Sequence, residues 1–396
     1  MLGWEDRLDA VRDGRRRPRI GTRVILRGVV VMFLGRLGSL NALEQSRPSR
    51  FWSRWLGGPL PSADTIGRVC ALVEPEDVRA LHHDVYGRLK RMKALEPPAH
   101  GLMAAVLDGH ESHATYRQCC PGCLQRTIHT SWEDHIQYYH RYVGLQLVGR
   151  DLHVMVDAEP QEAGEDEVAA ALRLVDRVLV AYPRAFDVVV LDGLYANSTV
   201  FNHILAQGKD VIAVLKDNRR DLLQDARGLF EQTAPVALPD ANCQRLGWDI
   251  EGFTSWPQVR QPVRVVRSLE TRTVRRQLDD QVEEIESDWL WVTTLSKVRA
   301  STRAVVQLGH SRWTIENQGF NEMVNRWHAD HVYKHHPVAM LVFLLLAMVC
   351  LNVFLVFYRR NLKPAARQAV SMLHVSRQIA ADLYGRIPSG PVRAPT

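Results

Sequence analysis

Cysteine is scarce in this chain, six residues in 396, which excludes the disulfide framework of a small secreted scaffold. Three of the six, Cys119, Cys120 and Cys123, fall close together, and that spacing suits a metal ion better than an extracellular staple. Cys70, Cys243 and Cys350 read as core. The opening MLGWEDRLDAVRDGRRR lacks the apolar centre of a signal peptide, so a cytoplasmic protein is expected. No internal repeat is visible. An acidic surplus is missing too: the net charge is +6, and residues 1–100 hold 18 Lys+Arg against 11 Asp+Glu, so the basic excess is entirely N-terminal. With 46% hydrophobic and 24% charged residues, the composition is that of a soluble chain able to bury a core in two or three domains.

The N-terminal charge sits in two clusters. RDGRRRPRIGTR contributes Arg15, Arg16, Arg17 and Arg19, and RPSRFWSRW interleaves Arg50 and Arg54 with aromatics. Such patches suit a polyanion, because each cation placed on a phosphate releases a counterion; a solvated arginine-rich surface is the other reading. Only one hydrophobic run is long. Val338–Tyr358 has 21 residues without a charge, enough to cross a bilayer. Asn352 inside it and the soluble character of everything upstream favour a buried central helix and no membrane.

Residues 1–98 carry a helical pattern, with Ser62 as an N-cap, and are expected to form an all-α basic DNA-binding region. The prolines of EPPAH mark a boundary. Strand patterns follow in LMAAVLD, YVGLQLVG and LHVMVDAE, then a helix from Glu165, the strand FDVVVLD, a helix ended by Gly208, and the strand DVIAVLK. That order predicts an α/β fold: a ribonuclease H-like mixed five-stranded sheet, three strands in antiparallel meander and two delivered through helical crossovers. Residues 99–216 would be the first part of this core, with a cysteine-bearing loop at 113–140. Residues 217–304 alternate as half-buried strands and read as a β-rich insertion. The core resumes over 305–362 with a glutamate helix and the long buried helix, and 363–396 is expected to give a C-terminal helix and a flexible tail.

Asp108 and Asp192 each close a VLDG stretch, and the topology makes their strands neighbours. Two adjacent carboxylates repel unless a hard cation sits between them, and Mg²⁺ takes carboxylate oxygens while keeping waters for phosphates. Gly109 and Gly193 would leave each aspartate on an uncrowded turn. Glu316, in SRWTIENQGFNEM, is the expected third ligand from a helix beneath that edge. Three carboxylates can hold two Mg²⁺ ions for in-line phosphodiester displacement.

Within CCPGCLQRTIHTSWEDHIQYYH, Cys120 and Cys123 form a CxxC whose Pro-Gly turn aims two thiolates at one ion. His129 and His140 would complete a structural Zn²⁺ site, with Cys119 and His135 as alternates.

The aspartate after strand one, the VLDGLY aspartate, the β-rich insertion and SRWTIENQGFNEM together resemble the DDE transposases of bacterial insertion sequences, in the branch with an inserted β-domain. The resemblance covers about Arg36 to Arg360. It implies a transposase that binds the terminal inverted repeats of double-stranded DNA, cleaves with Mg²⁺ (Mn²⁺ substituting) and joins the ends to target DNA, as a homodimer on DNA, with Asp108, Asp192 and Glu316 as the triad. That branch also places a tyrosine, an arginine and a lysine around its glutamate. Here the arginine is Arg312, but Gly309 and Met323 stand at the tyrosine and lysine positions, leaving phosphate contacts to Arg312, with Arg326, Lys334 or His310 as replacements. An inactive or domesticated DNA-binding derivative is the alternative. Relatives stack a flipped base on a tryptophan of the insertion; Trp256, between TS and PQ, is expected to be the exposed one.

Overall fold

The computed structural model describes residues 4–275 and 281–384; the stretch read above as a flexible tail falls outside the described residues from 385 on. Six helices come first: α1 (Trp4–Asp9), α2 (Thr22–Leu34), α3 (Leu40–Gln45), α4 (Arg50–Leu56), α5 (Ala63–Cys70) and α6 (Pro75–Arg91). Their starts follow from sequence. The hydroxyls of Ser39, Ser49 and Ser62 accept from the backbone N–H of Ala42, Phe51 and Thr65 at the heads of α3, α4 and α5, satisfying donors that a helix leaves unpaired. Pro75 opens α6 where no N–H is needed.

The strands are β1 (Ala104–Thr115), β2 (Leu124–His129), β3 (Asp134–Val148), β4 (His153–Pro160), β5 (Val188–Leu191), β6 (Asp210–Val214), β7 (Val236–Ala237), β8 (Gln244–Phe253), β9 (Val263–Arg275) and β10 (Val282–Thr293). They form one ten-stranded sheet in the order β2-β3-β1-β5-β6-β10-β9-β8-β7, with β4 paired to β3. β1–β5 and β5–β6 are parallel, with α7 (Glu167–Ala181) and α8 (Ser198–Ala206) as the crossovers; β1–β3 and β3–β4 are antiparallel.

Three expectations change here. Among the described residues the sheet has ten strands where five were expected: the insertion adds β7–β10, with β10 paired to β6 through Trp291↔Val214, and the cysteine-bearing segment adds β2. The insertion also holds a helix, α9 (Arg220–Glu231), whose Leu222, Leu223, Ala226 and Phe230 are buried; its helical period was hidden among charges. The cysteine-bearing segment 113–140 is mostly the hairpin β2–β3, whose alternation is masked because both of its faces carry polar residues.

Layering follows the two-residue period of the strands. Ala104, Val106, Val188 and Val190 face one core, which they share with α2, α5 and the helices of the C-terminal half; Ala105, Leu107, Val189 and Leu191 face the other, shared with α7, α8 and α9. The helices of the C-terminal half are α10 (Thr302–His310), α11 (Asn321–Trp327), α12 (Pro337–Val356), α13 (Pro364–Ala369) and α14 (Met372–Tyr384). The long apolar run becomes α12, packed on α2, α5, α6 and β4. The N-terminal helices therefore share a core with the sheet.

Asn352 explains how a polar residue survives in the middle of α12. Its side-chain oxygen accepts from the Met155 N–H at 3.1 Å and its amide donates to the Met155 carbonyl at 2.6 Å, beside the irregularity where β4 skips Val156 in its pairing with β3. Asn352→Leu would strand both backbone groups in a dry core. The expected loss is about 2–4 kcal/mol of stability, since each orphaned group costs about 1–3 kcal/mol, read as a shifted urea midpoint with unchanged slope; an unshifted midpoint would refute this anchoring.

Candidate active site

Asp192 lies one residue past β5, heading the 3₁₀ turn Gly193–Tyr195. Asp108 differs from expectation: it sits inside β1, opposite Gly144 of β3, because β1 continues to Thr115. The polar run HESHAT after it is strand, since its partner β3 extends just as far. The pairing Val106↔Val190 nonetheless brings the two aspartates to the same level of adjacent strands. Glu316 occupies the second position of a π-helical turn, Ile315–Phe320, a widened geometry frequent at functional sites.

Cations bind this carboxylate group. Arg312, only 7% exposed, reaches Asp108 at 3.3 Å and Glu316 at 3.9 Å, and its guanidinium stacks 3.8 Å from the ring centre of Trp313. Lys216 reaches Asp192 at 3.2 Å. Burial pushes the Asp108 carboxyl up to about 6, with Arg312 opposing and Glu167 and Asp192 adding to the rise. Asp192 goes the other way: burial raises it, but the Gly193 N–H, Lys216 and Arg312 outweigh that and hold it below the usual carboxylate range. Two like charges in one site have been driven apart in acidity.

Glu167, at the first position of α7, is a fourth carboxylate here. It accepts from the Tyr195 hydroxyl at 2.6 Å and from Arg141 at 3.2 Å. A Cβ at Gly109 would overlap the Glu167 carboxylate, and one at Gly193 would meet the Lys216 side chain at 2.8 Å. Each glycine beside an aspartate thus makes room for a charged side chain from another element, a more specific role than an open turn. Sequence reasoning missed Glu167, Lys216, Arg141 and Tyr195. Lys216 was within reach, because it follows β6 at the same sheet edge as Asp192 follows β5; Glu167 offers the sequence nothing beyond an acid in a helix's first turn, which the helix dipole favours on its own.

The positions around Glu316 have physical reasons. A Cβ at Gly309 would overlap the Trp291 indole, which is 1% exposed, so no tyrosine fits there. Met323 is fully buried. His310 is engaged by Glu270 at 2.6 Å, Arg326 is exposed, and the Lys334 stem packs on Gly67 of α5. Trp256 corrects the expectation of an exposed ring: it is 5% exposed, packed on Phe201, with the Arg219 guanidinium stacked on it. The accessible aromatic beside Arg312 is Trp313, edge-on to Trp289. Of the N-terminal arginines, Arg15 is tied to Asp13 at 2.8 Å and to the Ile20 carbonyl, whereas Arg16, Arg17, Arg19, Arg50 and Arg54 are exposed.

Of the residues expected to hold zinc, Cys120, Cys123 and His140 converge: the Sγ atoms are 3.8 Å apart and lie 3.3 and 3.4 Å from His140 Nε2. His129 does not join them. It sits at the far end of β2, hydrogen-bonded to Asp134 at 2.8 Å, because the hairpin carries it away from the CPGC turn. His135 faces Glu133 at 3.5 Å and Tyr116. Cys119 instead groups with His113 and His335.

No curated protein matches the sequence. The family model described as the transposase DDE domain matches residues 109–353, a span that holds Asp192, Arg312 and Glu316 and begins one residue after Asp108. On that match, which covers more than half its length, the chain belongs to the DDE-domain transposase family.

Proposed function

We propose that the protein is a DNA transposase that binds the terminal inverted repeats of its element and catalyses Mg²⁺-dependent end cleavage and strand transfer with Asp108, Asp192 and Glu316. The order β4-β3-β1-β5-β6 and its pairing directions support a ribonuclease H-like core, and members of the family generally use divalent metals. The donor set fits such ions: every oxygen is a hard carboxylate, and Asp108 is buried enough to resist ionisation without a nearby positive charge. The observation that carries the reading is Arg312 held between Asp108 and Glu316, a cation lodged where acids from distant parts of the chain meet.

Bound there, divalent ions would supply an activated water and a counter-charge for the leaving oxygen. The chain itself provides the rest. Arg312 presents a planar fork able to take two phosphate oxygens, and its stacking on Trp313 holds that plane fixed. Lys216 keeps Asp192 ionised, and Arg141 with Tyr195 fixes Glu167 beside Asp108. The exposed Arg16, Arg17, Arg19, Arg50 and Arg54 would take DNA phosphates, and two copies would pair two ends. The test is direct: a duplex carrying the element's terminus is incubated with purified protein and Mg²⁺, Mn²⁺ or EDTA. Cleavage with either ion and none in EDTA is expected. Specific binding without cleavage in any metal would favour the inactive DNA-binding derivative, for which the closed tyrosine position at Gly309 and the buried Met323 speak.

A further inference from the structure

The convergence of two thiols and an imidazole outside the carboxylate site has no role in phosphodiester chemistry, yet its geometry is specific. A tetrahedral zinc with bond lengths of about 2.3 Å to sulfur and about 2.0–2.1 Å to nitrogen sets ligand-to-ligand edges of about 3.8 Å between sulfurs and about 3.6 Å between sulfur and nitrogen. The observed edges are 3.8 Å between Cys120 and Cys123 and 3.3 and 3.4 Å to His140. Both cysteines are buried and unpaired by any disulfide, so their thiols are neither a staple nor exposed nucleophiles.

A second trio stands beside the first. His113 is the cross-strand partner of His140, so the two side chains share a face of the sheet. Cys119 precedes Cys120. His335 lies just ahead of α12, its ring 5.6 Å from that of His113, and ligand atoms of His113, Cys119 and His335 lie within 4.8 Å of one another. The CPGC turn is docked on the same segment: a Cβ at Gly122 would come within 2.9 Å of Pro337, the first residue of α12.

We propose that Cys120, Cys123 and His140 bind a structural Zn²⁺ whose fourth ligand comes from the adjoining trio of His113, Cys119 and His335. Binding releases the protons of the ligating thiols, and thiolate donors favour zinc over the magnesium of the carboxylate site. The ion ties the CPGC turn to the middle of β3 through His140, and its fourth ligand adds a tie to β1 through His113, to the residue before the turn through Cys119, or to the approach to α12 through His335.

Elemental analysis of the full-length protein, purified without added metal and without a metal-affinity tag, should find stoichiometric zinc. It should be released when p-hydroxymercuribenzoate titrates the thiols and be scored by a colour indicator. His129→Ala should keep the zinc, and Cys120→Ser, Cys123→Ser and His140→Ala should each lose it. Replacing His113, Cys119 and His335 together should speed zinc loss to a competing chelator at least ~10-fold, the scale on which weaker metal-site partners act. Wild-type protein without zinc that also fails to take it up on titration, or in which Cys120 and Cys123 are found as a disulfide, overturns the proposal. A triple variant that holds zinc like the wild type overturns the assignment of the fourth ligand. Because the wild-type measurement needs no mutant, misfolding of a variant cannot mask the answer, and DNA cleavage is not part of the readout.

Discussion

On the proposed function, Asp192→Ala is expected to lower strand cleavage by about 10²–10³-fold or more, the cost of removing one group that stabilises charge in a phosphoryl-type transition state, and to leave DNA binding in place. The reasons lie in its surroundings. Asp192 is held ionised by the Gly193 N–H, Lys216 and Arg312, and it stands at the level of Asp108 across a parallel strand pair. Removing it leaves Lys216 facing an empty position, where an ammonium repels a divalent ion. The fold should survive, because Asp192 follows β5, contributes nothing to its ladder and keeps 29% of its side chain exposed. Asp192→Asn should be nearly as inactive, because it restores the shape without the charge. Cleavage rates under single-turnover conditions, beside gel-shift affinities, separate the two functions. A variant that still cuts within about threefold of wild type, well short of the single-group scale, would remove Asp192 from the catalytic group.

The second large effect concerns stability. Glu270, on β9, is fully buried and accepts from His310 at 2.6 Å and from Arg245, Ser268 and Arg272 at 3.0 Å. The Arg245 side chain is only 5% exposed, so Glu270→Gln takes from a buried guanidinium its fully buried anion and leaves it Asp240 alone, at 2.8 Å. Breaking such a pair from one side costs about 3–5 kcal/mol, far more than a surface change. The pH dependence has a definite sign. Burial alone would raise the Glu270 carboxyl, but His310 and Arg245 hold it down to about 2, below the about 4.3 of an unfolded glutamate. Its contribution is therefore complete above the unfolded value and shrinks as pH falls towards the folded one. Urea melts should show the gap between wild type and Glu270→Gln narrowing by about 1–2 kcal/mol between pH 7 and pH 3. A gap that widens in acid would mean that Glu270 is not the anion of this cluster. His310 ends α10 two residues before Arg312, so the same carboxylate ties the insertion to the site.

Much of this was legible in the sequence. The alternation of apolar runs and helical stretches gave the crossover order, and strand adjacency then brought Asp108 and Asp192 together. Ser62 capped its helix, and Asn352 marked α12 as interior. What stayed hidden has local physical causes. β1 runs on past Asp108 because a long partner, β3, pairs with residues too polar to announce a strand. Trp256 sits in a turn-rich stretch that resembles surface, but Phe201 and Arg219 enclose it. His129 is close to the cysteines in sequence and far from them along a hairpin, a separation that spacing alone cannot reveal. Glu167 acquires meaning only from the space that Gly109 leaves for it.

The indole of Trp291 against Gly309 has a consequence for how this chain can change over generations. Because a Cβ at Gly309 would overlap that ring, the two positions are locked to each other: a tyrosine at 309 is selectable only in a background where 291 has already become small, and a shrunken 291 leaves a core void until 309 fills it. Either single step passes through an overpacked or hollowed core. This chain and the tyrosine-bearing transposases it resembles would then be separated by a valley that no single substitution crosses, which makes the glycine at 309 a marker of lineage.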